Sequence, residues 1–242
     1  MVAGAILTGA YLNSANLSGC DLSNLDLSFA TLIGTNLKGA DMTDADLTDA
    51  ILRAANLNSA ILEGANLTGA DLSGAWDGAI LLANTDLSFA NLSDAILTDA
   101  NLEGAVLLDA DLTGADLSGA YLYNANLNGA ALTDADLTNA ILIYADLGSA
   151  SLTGAILTDA NLNSAYLSNL DLSGLDLTGA DLTRADLSGA NLTNTNLTNA
   201  ILFLADLSDA DLTSVTWSNT ICPDSRNSDY NGGSCSCCLS IF

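Results

Sequence analysis

Residues Ala110–Ala120 read A-D-L-T-G-A-D-L-S-G-A, and most of the chain repeats this pattern. A leucine, called position i below, returns every five residues from Leu7 to Leu212, and only Met42 and Asp77 replace it. Position i−2 is mostly alanine, i−1 mostly Asp or Asn, i+1 mostly Ser or Thr, and i+2 mostly Gly, Asp, Asn or Ser. A period of five fits neither a helix nor an alternating strand. The pattern therefore predicts a solenoid, whose units bury their apolar side chains only against neighbouring units.

Each pentapeptide is predicted to form one side of a coil. Alternation along an extended Ala-Asp-Leu segment sends positions i−2 and i inward and position i−1 outward. The next two residues are small or turn-forming, so they can make the corner before the next extended segment.

This A-(D/N)-L-x-x repeat resembles the motif of the pentapeptide-repeat proteins, and the resemblance covers nearly all of residues 3–220. It implies an all-β fold, a right-handed quadrilateral parallel β-helix with four pentapeptides and twenty residues in each coil. At about 4.8 Å per coil, the repeats would stack about ten coils into a rod about 50 Å long. Residues 1–220 would form the solenoid, and residues 221–242 a cysteine-rich C-terminal tail.

The repeat is interrupted between Ala75 and Thr85, where Asp77 falls on a core position. Burying an unpaired carboxylate costs on the order of several kcal/mol. We therefore expect the frame to slip by one residue here. Ala79-Ile80-Leu81 would become a normal unit, Asn84 would be an extra residue, and Trp76 and Asp77 would lie on a bulge.

The composition excludes several classes of function. The chain has 29 acidic and 4 basic residues and a net charge of −25, which disfavours binding to nucleic acid or to an anionic membrane. Its apolar runs, such as 140–145 and 200–205, are far shorter than the roughly 18 residues that a membrane span needs. No signal peptide is visible in the sequence as given. With no histidine, no nucleophile beside a base and no phosphate-binding glycine loop, we predict neither an enzyme nor a cofactor.

Counting in steps of twenty sorts the outward residues by wall, and one wall collects large apolar side chains. They are Tyr121, Tyr123, Ile141, Ile143, Tyr144, Ile201, Phe203 and Leu204, with Ile61 and Leu81 assigned further up the same wall. An exposed apolar cluster usually marks an interface, so these residues are the predicted contact surface. The alternative is that Ile, Tyr and Phe are simply tolerated in β structure.

The same counting predicts an acidic column on the neighbouring wall. It consists of Asp26, Asp46, Asp86, Asp146, Asp186 and Asp206. A solvated face is the simpler interpretation. The other comes from the family resemblance, because some pentapeptide-repeat proteins imitate DNA and engage DNA gyrase. The regular repeat, without an evident projecting loop or phenylalanine-centred units, speaks against that role here.

The tail contains Cys222, Cys235, Cys237 and Cys238 and resembles the tails of cyanobacterial pentapeptide-repeat proteins. Cysteines this dense in a polar segment indicate disulfides, and Cys222 with Cys235 or Cys237 is the predicted intrachain bond. A zinc site is disfavoured because the chain has no histidine. Disulfides favour an extracytoplasmic location, whether periplasmic, lumenal or extracellular.

A second feature of the tail is the spacing of Asn227, Asp229 and Asn231 before Gly232, which matches the front half of a calcium loop. The twelfth position would be Cys238 rather than Glu, so an ordinary polar turn is the favoured interpretation and no metal site is predicted.

The sequence as a whole favours a non-catalytic scaffold or protein-interaction module that forms homo-oligomers. Association through the apolar wall and end-to-end stacking into a fibre both remain open, the second because no capping helix is visible before the first repeat. The alternative is an acidic DNA mimic that binds DNA gyrase or another DNA-binding protein. An antifreeze role, suggested by the Ser and Thr columns, ranks third.

Overall fold

A computed structural model describes residues 7–73, 82–230 and 234–235. In these ranges the chain winds as a four-sided parallel β-helix made of single-residue β-bridges rather than long strands. Tyr121, for example, pairs with Ile141 of the next coil, and Ile141 pairs with Asn161. The one helix in these ranges is the 3₁₀-helix Ser228–Tyr230, so none is long and apolar enough to cross a bilayer.

Hydrogen bonds between coils follow a fixed scheme on every side. On the side that contains Leu122, the N–H of Leu122 donates to the carbonyl oxygen of Ile141 (2.8 Å), and the N–H of Ile141 donates to that of Ala120 (2.9 Å). The leucine and alanine side chains point inward and are almost entirely buried from Leu22 to Leu207 in the described residues. In the described residues the interior is therefore a filled column of apolar side chains.

The corners explain which residues occupy positions i+1 and i+2. At one corner the N–H of Ala115 donates to the carbonyl oxygen of Leu112 (3.0 Å), and Gly114 between them has a φ of +67°. Asp94 holds the equivalent position with a φ of +56°. Glycine, asparagine and aspartate tolerate this left-handed conformation best, which accounts for their frequency at i+2.

A side-chain contact that the sequence analysis missed supports the same corner. The N–H and the hydroxyl of Ser118 both donate to Oδ1 of Asp116, at 3.0 and 2.6 Å. The motif recurs along the solenoid, so the Asp or Asn at i−1 and the Ser or Thr at i+1 are a bonded pair. Such local side-chain contacts favour turns over other backbone conformations.

The interruption adds one complete pentapeptide instead of a one-residue slip. Most bridge partners in the solenoid are twenty residues apart, but the pairs that span the interruption, such as Ile61 with Asp86, are twenty-five residues apart. Leu82 is a normal buried leucine whose N–H donates to the carbonyl oxygen of Asn101 (2.8 Å). Asn84 occupies the following corner with a φ of +54°, so the prediction that it is an extra residue is wrong.

A slip by one residue would exchange the inward and outward faces of every later unit, whereas a slip by five preserves them. The predicted roles of Trp76 and Asp77 and of the unit Ala79-Ile80-Leu81 lie outside the described residues.

The added unit changes which residues share a wall. We call wall A the side whose outward column runs through Asn16, Asn36, Asn56, Asn101, Tyr121, Ile141, Asn161, Asp181, Ile201 and Ile221. Ile61 pairs with Asp86 on the next wall, so its assignment to the wall of Tyr121 is wrong. Leu81, assigned to the same wall, lies outside the described residues.

The predicted acidic column is likewise split between two walls. Asp26 and Asp46 are followed in their column by Asn66 and Asn91. Asp86, Asp146, Asp186 and Asp206 lie in the column that contains Ile61, so the prediction of one continuous column is wrong. Counting in steps of twenty failed because it crossed the added pentapeptide.

The tail closes the C-terminal end of the solenoid. Cys222 and Cys235 form a disulfide and are both fully buried, with Trp217 packed against them, which confirms the first of the two predicted pairings. The chain before and after Cys222 folds back as a hairpin, in which the N–H of Ser228 donates to the carbonyl oxygen of Thr220 (2.8 Å). Cys237 and Cys238 lie outside the described residues.

Candidate interaction surface

All eight predicted contact residues lie on wall A. Three pairs flank buried leucines: Tyr121 and Tyr123 around Leu122, Ile141 and Ile143 around Leu142, and Ile201 and Phe203 around Leu202. Tyr144 and Leu204 occupy the corners that follow the second and third pairs. The two coils between these groups are polar and carry Asn161, Asn163, Asp181 and Thr183.

The tyrosines of wall A form a cluster across two coils. The rings of Tyr121 and Tyr123 are nearly parallel, with centroids 6.1 Å apart. The ring of Tyr144 meets Tyr123 edge-on at 5.7 Å. Parallel and edge-to-face arrangements are the favourable geometries for aromatic pairs, so these three rings are held together on the outside of the solenoid.

Two of the apolar residues hold a backbone conformation that does not suit them. Tyr144 and Leu204 have φ values of +59° and +60°, at positions where Gly, Asn or Asp are the usual residues. Their side chains are 46% and 42% exposed, so the burial of apolar surface within the chain does not fully offset the strain. Phe29 and Phe89, which lie on other walls, hold the same conformation and are more exposed, so this backbone conformation is not confined to wall A.

Several carboxylates of the other walls, among them Asp26, Asp206 and Asp211, are stabilised in their ionised form by nearby hydroxyl groups. The hydroxyl of Ser28 donates to Oδ1 of Asp26 (2.6 Å), and the hydroxyl of Thr8 donates to Oδ2 (2.6 Å). These hydrogen bonds, that of Ser28 first, lower the pKa of Asp26 from its ordinary value. Ser208 and Thr213 lower the pKa values of Asp206 and Asp211 in the same way. The acidic surface is therefore part of the bonding scheme that shapes the corners.

We expect Ser28→Ala to raise the pKa of Asp26 toward its ordinary value. The substitution removes the hydroxyl whose hydrogen bond lowers this pKa most. A lowered folded-state pKa contributes stability that is present above the unfolded-state pKa and is lost as pH falls through the folded value. The variant should therefore be less stable than the wild type at neutral pH, and the difference should vanish in acid. NMR titration of the Asp26 carboxyl carbon gives the pKa directly.

Thr153→Ala is the matched control for Ser28→Ala, because position 151 is Ser and the change removes no hydroxyl donor from a carboxylate. A pKa of Asp26 that is the same in wild type and Ser28→Ala would contradict the assigned cause.

The calcium-like residues of the tail are occupied by structural hydrogen bonds. Asn227 donates through Nδ2 to Oδ1 of Asn219 (2.8 Å) and accepts the N–H of Asp229 at its own Oδ1 (2.9 Å). Oδ1 of Asp229 accepts the N–H of Asn219 (3.0 Å). These contacts fasten the 3₁₀-helix to the last coil, whereas Asn231 lies outside the described residues. Within residues 7–73, 82–230 and 234–235 no cluster of three or more Cys, Asp or Glu side chains is placed to hold a metal ion.

A four-sided solenoid with pentapeptide corners defines the class of this protein, and comparison with known proteins gives its family. The family model for pentapeptide repeats matches in 8 copies, over residues 5–44, 40–75, 81–119, 120–159, 145–184, 160–199 and 180–216. The chain therefore belongs to the pentapeptide-repeat family, and its fold is the right-handed quadrilateral β-helix of that family.

Three solved structures illustrate the relationship. HetL, a pentapeptide repeat protein involved in heterocyst differentiation regulation from the cyanobacterium Nostoc sp. strain PCC 7120, is 35% identical over 94% of this chain and 93% of its own, with a TM-score of 0.31. A pentapeptide repeat protein from the Arabidopsis thaliana thylakoid lumen is 28% identical over 61% of this chain and 68% of its own, with a TM-score of 0.24. Full-length QnrB1, a plasmid-mediated fluoroquinolone resistance protein, is 17% identical over 98% and 100%, with a TM-score of 0.33. Comparison with curated proteins gives no match.

Proposed function

We propose that this chain is a non-catalytic scaffold that self-associates through wall A. The observation that carries the proposal is the group of eight apolar side chains on wall A, which includes the tyrosine cluster. Exposed apolar clusters are characteristic of interaction sites, and tyrosine is among the residues that contribute most to binding. Association would bury the tyrosine cluster and the strained Tyr144 and Leu204.

The C-terminal cap obstructs end-to-end stacking only in part. The disulfide and Trp217 pack together over part of the last coil, whereas Leu212 and Val215 are only partly buried there. At the other end Leu7, Leu12 and Leu17 are only partly buried within the described residues, and a contact there would add to the lateral one. Open stacking into a fibre would need an accessible surface at both ends.

The test is the triple variant Tyr121→Ser, Ile141→Ser and Phe203→Ser. We expect the wild-type protein to form dimers or larger species in analytical ultracentrifugation and the variant to be monomeric, because the apolar contact area is lost. All three side chains point outward, so the circular dichroism spectrum should not change.

A second triple variant is the matched control, because it removes isolated apolar side chains from other walls: Ile96→Ser, Ile156→Ser and Tyr166→Ser. It should associate as the wild type does. A wild-type protein that stays monomeric from micromolar to submillimolar concentration would overturn the proposal.

A DNA mimic that engages DNA gyrase or another DNA-binding protein is the second candidate, and the net charge of −25 is the observation that favours it. An acidic rod attracts basic nucleic-acid-binding surfaces. Inhibition of gyrase supercoiling by the pure protein, retained in the wall A triple variant, would support this candidate over the scaffold.

The disulfide supports an extracytoplasmic location as part of the same proposal. Disulfides persist in oxidising compartments and are rare where glutathione keeps thiols reduced. Fractionation of the native host cell, with the redox state of Cys222 and Cys235 read by thiol alkylation, tests it.

A further inference from the structure

Wall A differs from the other walls in charge as well as in apolar content. Its outward column carries asparagine where the other columns often carry aspartate, at the five positions Asn16, Asn36, Asn56, Asn101 and Asn161. Asp181 is its only carboxylate in the described part of that column. Asparagine accepts the corner N–H as aspartate does: Oδ1 of Asn101 accepts the N–H of Glu103 (3.0 Å). The corner hydrogen bond can be made by either residue, so it does not explain why wall A carries asparagine instead of aspartate.

The neutral column suits a wall that faces its own copy. Two carboxylates brought face to face repel and must also lose hydration, whereas two amides can hydrogen-bond to each other. From Asn16 to Leu204 the described part of wall A carries two basic residues, Lys38 and Arg184, and two acidic ones, Glu103 and Asp181, so its charges balance. On a chain with a net charge of −25, a wall with balanced charges is where a second copy can approach closely. A basic partner would favour the more numerous carboxylates of the other walls.

The residues of wall A also match in rows. A row is the pair of outward residues that flanks one buried leucine. The row of Leu122 is Tyr and Tyr, that of Leu142 is Ile and Ile, and that of Leu202 is Ile and Phe. The row of Leu162, Asn161 with Asn163, is polar on both sides. On another wall, by contrast, Ile156 shares its row with Thr158.

Row matching is what a parallel two-fold dimer needs. If the two-fold axis runs along the solenoid between two copies, each coil faces the same coil of its partner. Because facing walls are reversed left to right, the residue before each leucine then faces the residue after that leucine in the partner. Apolar rows meet apolar rows and polar rows meet polar rows at every level, as an isologous interface requires.

The charges within wall A fit the same arrangement. Arg184 is exposed at the corner after Thr183, with a φ of +58°, and it makes no ion pair within the described part of the chain. Two of the other basic residues do: Arg53 contacts Asp71 at 2.7 Å, and Arg226 contacts Asp224 at 3.2 Å. Oδ1 of Asp181 accepts the N–H of Thr183 (2.9 Å). In the parallel dimer, Arg184 of each copy lies beside Asp181 of the other.

We propose that two copies of this chain stand side by side, parallel and in register, joined wall A to wall A, with two reciprocal Asp181–Arg184 ion pairs. The inference rests on the proposed self-association and adds its geometry. The asparagine column begins at Asn16, so the contact runs along the whole wall. An antiparallel dimer that matched the apolar rows would be centred between the coils of Asn161 and Asp181 and would leave Asn16, Asn36 and Asn56 unpaired. The footprint is about 50 by 10 Å per copy, at the small end of the range for specific interfaces.

The test exchanges the two charges in separate variants. Asp181→Arg places two arginines on each copy and Arg184→Asp places two aspartates, so each variant alone should dimerise roughly 10- to 100-fold more weakly than wild type. A mixture of the two variants should form heterodimers of near wild-type affinity, because both pairs become attractive again. Sedimentation with one variant carrying a fluorophore measures all three constants.

Asp181→Asn is the control, because it keeps the acceptor for the N–H of Thr183 and removes only the charge. It should weaken the dimer less than Asp181→Arg does.

A distance measurement separates the two orientations. Glu103→Cys carries a nitroxide label in a background with Cys20→Ala, Cys237→Ser and Cys238→Ser. In the parallel dimer both labels lie at the same height on facing walls. In the antiparallel dimer they are about 34 Å apart along the axis. Dimers that are lost in the serine triple variant but show the long distance, or no recovery on mixing, would overturn this geometry and leave the proposed function standing. A monomeric wild type would overturn both.

Discussion

Replacing Leu142 by alanine is expected to lower the free energy of unfolding by about 3 kcal/mol. Leu142 is fully buried in the middle of the leucine column. Its N–H donates to the carbonyl oxygen of Asn161 (2.7 Å), and the N–H of Ala145 donates to the carbonyl oxygen of Leu142 (3.0 Å). Because the backbone is fixed above and below, the coil cannot collapse into the space, and most of the cavity remains.

The same substitution near the end of the column provides the comparison. Leu212 is only partly buried, so Leu212→Ala should cost clearly less than Leu142→Ala. Urea unfolding followed by circular dichroism measures both. In a repeat protein an internal defect also weakens the coupling between the parts on either side, so Leu142→Ala should broaden the transition. Equal losses for the two variants would contradict the role assigned to the buried column.

The double variant Cys222→Ala and Cys235→Ala is expected to destabilise the C-terminal cap by about 3 kcal/mol, the chain-entropy estimate for a disulfide that closes a loop of this length. The two cysteines are 13 residues apart in sequence and fully buried. Since each coil contacts only its neighbours, the loss should be local. Hydrogen exchange should accelerate at Ile221 and Ser228 while the protection of Ile141 stays unchanged.

Cys20→Ala is the control for the cap. Cys20 is a free thiol at an i−2 position and is partly buried against the first leucines. Its replacement should leave exchange at Ile221 unaltered. If the cap variant lost protection along the whole solenoid, the disulfide would be supporting the whole fold rather than only its end.

The fold could be predicted because its signal is repeated along most of the chain. The period of five, the inward alanine and leucine, and the corner residues at i+1 and i+2 all agree with the observed coil. The same pattern could not explain why Asp at position i−1 occurs together with Ser at position i+1. It depends on a side chain reaching back two residues, as Ser118 does to Asp116, and an outward aspartate gives no sign of that bond.

Wall assignments were reliable only within an uninterrupted stretch. Tyr121, Ile141 and Ile201 were placed together correctly because no added unit lies between them. Ile61 and Asp26 were misplaced because the extra pentapeptide lies between them and the residues they were matched with. The added pentapeptide keeps the five-residue repeat in frame. The change in which residues share a wall can therefore be seen only from the bridge partners.

Buried threonines show a further limit of the pattern. Thr195 and Thr220 replace alanine at i−2 and are fully buried. Their hydroxyls donate to the carbonyl oxygens of Leu172 (2.8 Å) and Leu197 (2.7 Å). A polar residue is accepted at these positions because its hydroxyl has a hydrogen-bond partner in the coil before.

The pairing of Ile61 with Asp86 has an evolutionary consequence. Gaining or losing a single repeat turns everything downstream by a quarter of a revolution without altering one side chain. Surfaces that formerly lay apart are thereby aligned, and aligned ones are separated. Duplication of a single repeat can therefore produce new combinations of surface residues during evolution. The packing of the hydrophobic interior stays the same.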